Sequence, residues 1–567
     1  MRLMRSVTVA AVSWLSATVA WGNPIEDGGQ PPSPQLNRLL VDLDADFASI
    51  APTGPGCAVG VDAPGAASVT RAYGVADLEH AAPLTPESVL ETGSLAKQFT
   101  AAGMLLLAQD GKLTLDDDIR RYLPEMPNYG TPITIRHLLT HTSGLREQWS
   151  LLALAGSGPG SQIHTQSTIL DLASRQMELN FSPGAEFLYT NTNYVLAAII
   201  IERVSGTSLE RFTEQRLFRP LGMTHSRWRE DFRTIVPGRA LAYAPSSDGF
   251  IANMPFTNVY GNGGLLTTVG DLLRWNSFLD QPSRLPGGDA LVAALQTPGK
   301  LRDGTTLEYA LGLEITRAHN LRLVAHSGST AGYKTWLGRY PAKGISVAVL
   351  CNNGGVDAVK LGERVAEQAL YATGYVDSAP PASLVPPVGV PSKPADLAKY
   401  VGLFRNPVNG DLVSTKIVDG KLTLTQGSTE ILSQIDGGRF QSADGRVVQF
   451  VTVNGKATSL TSSTGTSSQR IVAVAPAKTG SELHEYVGTY YSPELDKRVR
   501  VTQESQGLLM RQAFAVEWQL EPRFSDGFTT RLRGTTTFVF SRTSSGHVDG
   551  FAAWANGVRG IRFVRQP

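Results

Sequence analysis

Ser94 and Lys97 stand three residues apart at the head of an apolar run. The segment reads Glu91-Thr92-Gly93-Ser94-Leu95-Ala96-Lys97-Gln98-Phe99 and continues to Met104-Leu105-Leu106-Leu107. Gly93 before the run and Gly111 after it bracket one helix, which places hydroxyl and amine on one face at its N-terminus. A serine hydroxyl is a poor nucleophile at neutral pH until a neighbouring base takes its proton. A lysine amine can be that base where burial and the positive helix end lower its pKa. Alone, the Ser-x-x-Lys spacing is a weak signal, because short patterns recur by chance.

Two further groups of residues suit the same chemistry. Leu188-Tyr189-Thr190-Asn191 precedes a second apolar helix, Val195 to Val204. A tyrosine beside a cationic lysine can have a lowered pKa and relay a proton. Asn191 offers an amide that donates to a carbonyl and accepts from an amine. His326-Ser327-Gly328-Ser329 follows the strand-like Leu321-Arg322-Leu323-Val324. A glycine at 328 lets a substrate backbone lie close to the strand, and the next N–H, of Ser329, then points at the reacting carbonyl. No Gly-x-Ser-x-Gly is present, so the nucleophile elbow of an α/β-hydrolase is missing.

Other reactive residue types read as structural. His137 and His141 have a zinc-compatible spacing, but the residues between them carry no glutamate and no third ligand cluster is evident. Tyr194 opens the apolar helix and reads as core. Cys57 and Cys351 are the only cysteines, each in a strand-like apolar run. They read either as a disulfide, which export would permit, or as two buried thiols, with the thiols at least as favoured. Neither has a nearby histidine to make a catalytic thiolate.

The elements that must position these residues follow from composition and texture. A chain of 567 residues, 42% hydrophobic and 18% charged, has material for roughly three or four domains and is too apolar for a wholly disordered chain. A net charge of +1 without basic runs offers no footprint for nucleic acid or an anionic membrane. Arg2 and Arg5 before the short apolar run Val7 to Ala20, closed by Trp21-Gly22-Asn23-Pro24, suggest a secretory signal peptide over 1–22 and a periplasmic or secreted protein. No later stretch reaches a membrane-spanning length. Six prolines between Pro380 and Pro394 suggest an extended linker over 376–395. Beyond it, alternating runs and glycine turns indicate all-β structure. The echo of Leu397-Ala398-Lys399-Tyr400-Val401-Gly402 in Leu483-His484-Glu485-Tyr486-Val487-Gly488 divides it into two small antiparallel barrels, 396–478 and 479–567, with hairpin turns near Asp444-Gly445 and Ser545-Gly546.

With Ser94/Lys97, Tyr189/Asn191 and His326/Gly328 in this order, the chain resembles the serine β-lactamase and penicillin-binding protein superfamily. The branch is that of class C β-lactamases, D-aminopeptidases and related esterases. The resemblance covers roughly residues 36–375 and extends to Leu113–Ile119, to Ile133-Thr134-Ile135-Arg136-His137-Leu138-Leu139-Thr140-His141-Thr142-Ser143-Gly144-Leu145, and to Gly263-Gly264-Leu265. It implies an α/β fold: an antiparallel sheet flanked by helices, a helical subdomain, and a site between the two. It also implies Ser94 as acylated nucleophile, Lys97 and Tyr189 as proton carriers, and Asn191, His326, Gly328 and Ser329 as substrate-binding, with the N–H groups of Ser94 and Ser329 as oxyanion donors and no metal or other cofactor. The partner is then a small peptide, amide or ester. His326 stands where many β-lactamases have lysine. A histidine is mostly neutral near pH 7 and attracts a substrate carboxylate less, which favours a peptidase or esterase over a dedicated β-lactamase. A D-aminopeptidase-like peptidase is the first expectation, with a carboxylesterase or class C-like β-lactamase as the alternatives among enzymes. A penicillin-binding sensor or scaffold with little turnover is the alternative outside the enzymes. In D-aminopeptidases two barrels follow the catalytic domain and a loop of the last one enters the site. Asp526 is therefore either an ordinary hairpin turn or an acid facing a substrate amine.

Overall fold

The computed structural model describes residues 43–64, 68–158, 162–375, 394–442, 446–464, 467–478, 480–505, 507–512 and 516–567. The expected 1–22 leader, the first residues of the 36–375 region, positions 376–393 of the expected linker and the expected turn at Asp444-Gly445 lie outside the described residues.

The sheet comprises β1 (Cys57–Asp62), β2 (Val69–Tyr73), β3 (Glu314–Ala318), β4 (Leu321–Thr330), β5 (Tyr333–Tyr340) and β6 (Ile345–Cys351). It is antiparallel, in the order β3-β4-β5-β6-β1-β2. The central strand β6 is apolar at nearly every position because both faces are covered. Ile345, Val347, Val349 and Cys351 face one core, and Ala348 and Leu350 the other, the period of two that a pleated strand imposes.

Five helices build the surroundings: α1 (Ala96–Gln109), α2 (Gln148–Leu154), α3 (Asn191–Ser205), α4 (Val269–Asp280) and α5 (Ala358–Ala372). α5 covers the first core with Val365, Ala366, Ala369 and Leu370. A side chain at Gly362 would collide with Trp336, so glycine sets how closely this helix lies on β5. α4 covers the other face, with Leu273 against Gly60. α1 is buried along almost its whole length, between sheet and helical subdomain, and ends at Gly111, whose φ of +68° closes it. Cys57 and Cys351 lie directly opposite in the β1–β6 register and are bonded. The buried-thiol reading is therefore corrected: the residues are buried, but the register brings their sulfurs together.

Each half of the C-terminal region is a closed eight-stranded antiparallel barrel. The first runs from Gly402–Arg405 to Ser467–Ala473 and closes with Phe404 opposite Ala473. The second runs from Gly488–Ser492 to Val558–Arg565 and closes with Tyr490 opposite Arg565. The sequence echo corresponds to a helical turn at the entrance of each barrel. Leu397 and Tyr400 plug one core, Leu483 and Tyr486 the other. Their rings pack on Phe440 and Phe450, and on Phe528 and Phe540. The second barrel also packs on the helical subdomain through a buried Arg146–Glu494 ion pair. Among the described residues no helix is long and apolar enough to cross a membrane.

Candidate active site

Ser94 lies in a 3₁₀ turn, Gly93–Leu95, that feeds directly into α1. Where the turn passes into the helix, residues three apart share a face, and Lys97 Nζ lies 3.1 Å from Ser94 Oγ. The turn is wedged against β4. Gly93 has φ +56°, and a Cβ there would come within 2.7 Å of Ser329 N. A Cβ on Gly328 would come within 2.0 Å of Thr92 O and 3.1 Å of Ser94 N. Thr335 on β5 donates to the same Thr92 carbonyl at 2.7 Å. Gly328 thus lets the strand touch the turn that carries Ser94, and so brings the backbone of Ser329 beside that of Ser94.

Lys97 is fully buried. Its amine lies against three oxygens: Ser94 Oγ, Asn191 Oδ1 at 2.8 Å and the carbonyl of Asn262 at 2.7 Å. A neutral amine has two hydrogens and one lone pair. Two fixed carbonyl-type acceptors take the hydrogens and leave the lone pair facing the serine. Burial pulls the Lys97 pKa down to about 7, against the opposing pull of the Glu147 carboxylate.

Tyr189 hydrogen-bonds Ser94, and its ring lies 4.8 Å from Lys97 Nζ. The expected lowering of its pKa does not occur. Burial pushes the phenol up, and the hydrogen bond from Ser94 offsets only part of that. The tyrosine is therefore neutral, and the lysine is the group poised near neutral pH. His326 is buried; its Nδ1 donates to Ser327 O at 2.6 Å and its Nε2 faces Tyr309 Oη at 3.1 Å. Burial and the nearby Lys97 hold its pKa down to about 4, so it is neutral at working pH. Asn191 is the first residue of α3.

β3 pairs with β4 only as far as Ala325. Residues 326–330 of β4 therefore extend beyond β3, and His326 to Ser329 line a cleft of ≈560 Å³ that also contains Ser94 and Tyr189. Its other charged walls are Glu314, Lys334 and Asp357. Lys334 stands opposite Ser329 in the β4–β5 register, and its Nζ donates to Ser329 Oγ at 2.7 Å. Histidine at 326 brings no charge to this strand pair, and Lys334 is the lysine on it that lines the cleft.

Sequence reading missed four contributors. Asn262 acts through its carbonyl, which no side-chain pattern reveals, although the matched Gly263-Gly264 lies beside it. Tyr309 is buried against Tyr189 and His326. Glu147 follows the matched 133–145 segment by two residues; its carboxylate accepts three hydrogen bonds from Thr190 and Asn191 and one from Trp149 N in its own helix. His141, buried at φ +56°, packs on Tyr189 with ring centroids 4.3 Å apart. Its Nδ1 accepts from Thr190 N, while His137 Nδ1 accepts from Thr134 N in a capping box. Among the described residues the one grouping of three metal-type ligands, Asp77, Glu79 and His80, includes neither histidine. Tyr194 is fully buried, its hydroxyl on Leu139 O. Asp526 does sit in a hairpin turn, at φ +59°, but its carboxylate is taken by Arg542 and Tyr486 within the second barrel. It is not among the residues lining the cleft, so the amine-facing role is withdrawn.

The model of the Beta-lactamase family matches residues 51–370. Penicillin-binding protein 4* of Bacillus subtilis (strain 168) is 30% identical over 346 residues, 58% of this chain and 72% of its own length. The D-aminopeptidase of Brucella ovis is 28% identical over 368 residues, 65% of this chain and 67% of its own. The fold is shared with the octameric penicillin-binding protein homologue from Pyrococcus abyssi, at a TM-score of 0.52 and 23% identity, over 77% of this chain and 99% of that one.

Proposed function

This chain belongs to the Beta-lactamase family, and from that premise we propose that it is a serine hydrolase cleaving the amide bond of D-amino acid amides or short D-peptides through an acyl-enzyme on Ser94. The observation that carries the reading is the Lys97 amine, 3.1 Å from Ser94 Oγ with its remaining directions occupied by Asn191 and Asn262. Lys97 takes the hydroxyl proton as Ser94 Oγ attacks the substrate carbonyl. The N–H groups of Ser94 and Ser329 receive the negative charge on the carbonyl oxygen, each worth about 3 kcal/mol in such a role. The C–N bond then breaks. Tyr189, held neutral, passes its proton to the leaving amine and recovers one from Lys97. Water hydrolyses the ester that remains and regenerates Ser94. The substrate lies along the free edge of β4, with the carboxylates of Glu314 and Asp357 available to an ammonium and Lys334 to a carboxylate. The expected 1–22 leader and the Cys57–Cys351 bond support action after export, where disulfides persist.

The test is a panel of D- and L-aminoacyl amides, short acyl esters and a chromogenic cephalosporin, with intact-mass spectrometry of the enzyme. D-amide turnover is expected, with a transient adduct on Ser94. Ser94→Ala should lose both and keep its melting temperature. An adduct that persists without turnover would favour the penicillin-binding sensor instead, and preferred ester turnover the carboxylesterase. Near-wild-type hydrolysis by Ser94→Ala would remove the serine from its role.

A further inference from the structure

Glu147 is 7% exposed and sits at the N-terminal cap of α2. Its carboxylate serves α3 as well. Oε2 accepts from Asn191 N at 2.8 Å and Thr190 Oγ1 at 3.1 Å, and Oε1 accepts from Asn191 Nδ2 at 3.1 Å. α3 receives no cap from the side chain of its own Thr190, so Glu147 is the anion at its positive end. The carboxylate accepts only. It therefore draws the NH₂ side of Asn191 towards itself and turns Oδ1 towards Lys97, 2.8 Å away.

What holds Glu147 is not the catalytic region alone. The turn between the last two strands of the second barrel, Val548–Ala555 and Val558–Arg565, is pressed against the start of α2. Glu147 N donates to Gly557 O at 2.9 Å, and Ser150 Oγ donates to Asn556 O at 2.7 Å. Asn180 Nδ2 donates to the same Gly557 carbonyl at 2.9 Å, and Asn180 Oδ1 accepts from Arg559 N at 2.8 Å. Buried Arg146, next to Glu147, reaches Glu494 and the carbonyl of Arg559. Gly557 has φ +70°, and a Cβ there would lie 2.6 Å from Glu147 Cβ. The approach is as close as a residue without a side chain allows.

We propose that this barrel turn is a working part of the active site: by seating Glu147 it positions Asn191, and through Asn191 the Lys97 amine. The second barrel then acts on the reaction without entering the cleft, and Glu147 and Gly557 are positioning residues. The inference rests on the acyl-enzyme reading, since it supposes that Lys97 is the base for Ser94. The charged and titratable groups facing Lys97 are Glu147, Tyr189, Tyr194, His141 and His326, and those facing Glu147 include Arg533. Of these, Glu147 is the anion beside the amine.

The experiment measures kcat/KM against pH for a neutral chromogenic ester on the full chain, for wild type, Glu147→Gln, Gly557→Ala and Gly546→Ala. A Ser94 adduct by mass spectrometry in wild type first establishes the acyl-enzyme separately. Its absence would sink the earlier reading and this one with it, whereas an adduct together with unmoved profiles in the variants would sink this one alone. Glu147→Gln puts an NH₂ against the donors of residues 190 and 191 and removes the anion. We expect at least a 10-fold lower plateau and an acidic limb moved to lower pH. Gly557→Ala, which forces Glu147 to shift, should lower the plateau and move the limb in either direction. Gly546→Ala carries a similar positive φ at another turn of the same barrel, with open space around it, and should leave the profile in place. The idea is overturned if Glu147→Gln and Gly557→Ala lower only the melting temperature while limb and plateau stay at wild-type values. It is equally overturned if Gly546→Ala reproduces their kinetic effect, since barrel strain anywhere would then suffice. Should Glu147→Gln not fold, the Gly557→Ala profile alone decides.

Discussion

Acidification should switch the enzyme off through one group. An unperturbed lysine has roughly one amine in a few thousand neutral at pH 7. With its pKa drawn down to about 7 by burial, Lys97 is about half neutral there. In the proposed mechanism the neutral amine is the base, so kcat/KM should follow its population. It should level off above pH 8 and fall with a logarithmic slope of one below pH 6, losing about 100-fold by pH 5. The neighbouring groups do not blur this limb. His326 is held at about 4, His141 well below its usual value and Tyr189 well above its own, each mainly by burial. The assay is stopped-flow acylation by a neutral chromogenic ester, which does not titrate in this range, with circular dichroism to show that the fold persists at pH 5. A profile flat from pH 5 to 7 would refute the reasoning, because the base would then have to be something other than this buried amine. So would a limb centred near 10, the value of a solvated lysine.

Three further outcomes follow from the packing. Gly328→Ala places a methyl within 2.0 Å of the Thr92 carbonyl, and displacing the nucleophile's turn should cost about 1–3 kcal/mol together with most of the acylation rate, by urea titration and ester kinetics. Glu494→Gln leaves Arg146 buried without its counter-ion, so differential scanning calorimetry should find the barrel and catalytic transitions separating, at a cost of about 3–5 kcal/mol. Cys57→Ser with Cys351→Ser removes a link between residues 294 apart in sequence. It should destabilise the catalytic domain by about 2–5 kcal/mol in denaturant, while reductant leaves the double variant unchanged and destabilises wild type.

The sequence by itself determined the architecture and the names of the principal site residues. Strand-like apolar runs marked β1 and β6, glycines bracketed α1, and the Tyr-Val-Gly echo divided the C-terminal half into two barrels, because these are local patterns that each element carries in its own residues. Ser94, Lys97, Tyr189, Asn191 and His326 were legible because their types are few and their order distinctive. What only the tertiary structure decided is how those groups are tuned. A pKa is set by burial and by neighbours distant in sequence. Hence the lysine and not the tyrosine is the group near neutrality, and Lys334, not His326, is a cation of the cleft wall. Gly328 owes its identity to a carbonyl more than two hundred residues earlier. Asn262 acts through a backbone atom that every residue possesses. Glu147 gains its place from a turn four hundred residues further on. Such contacts leave no spacing in the chain, since only the folded chain brings their partners together.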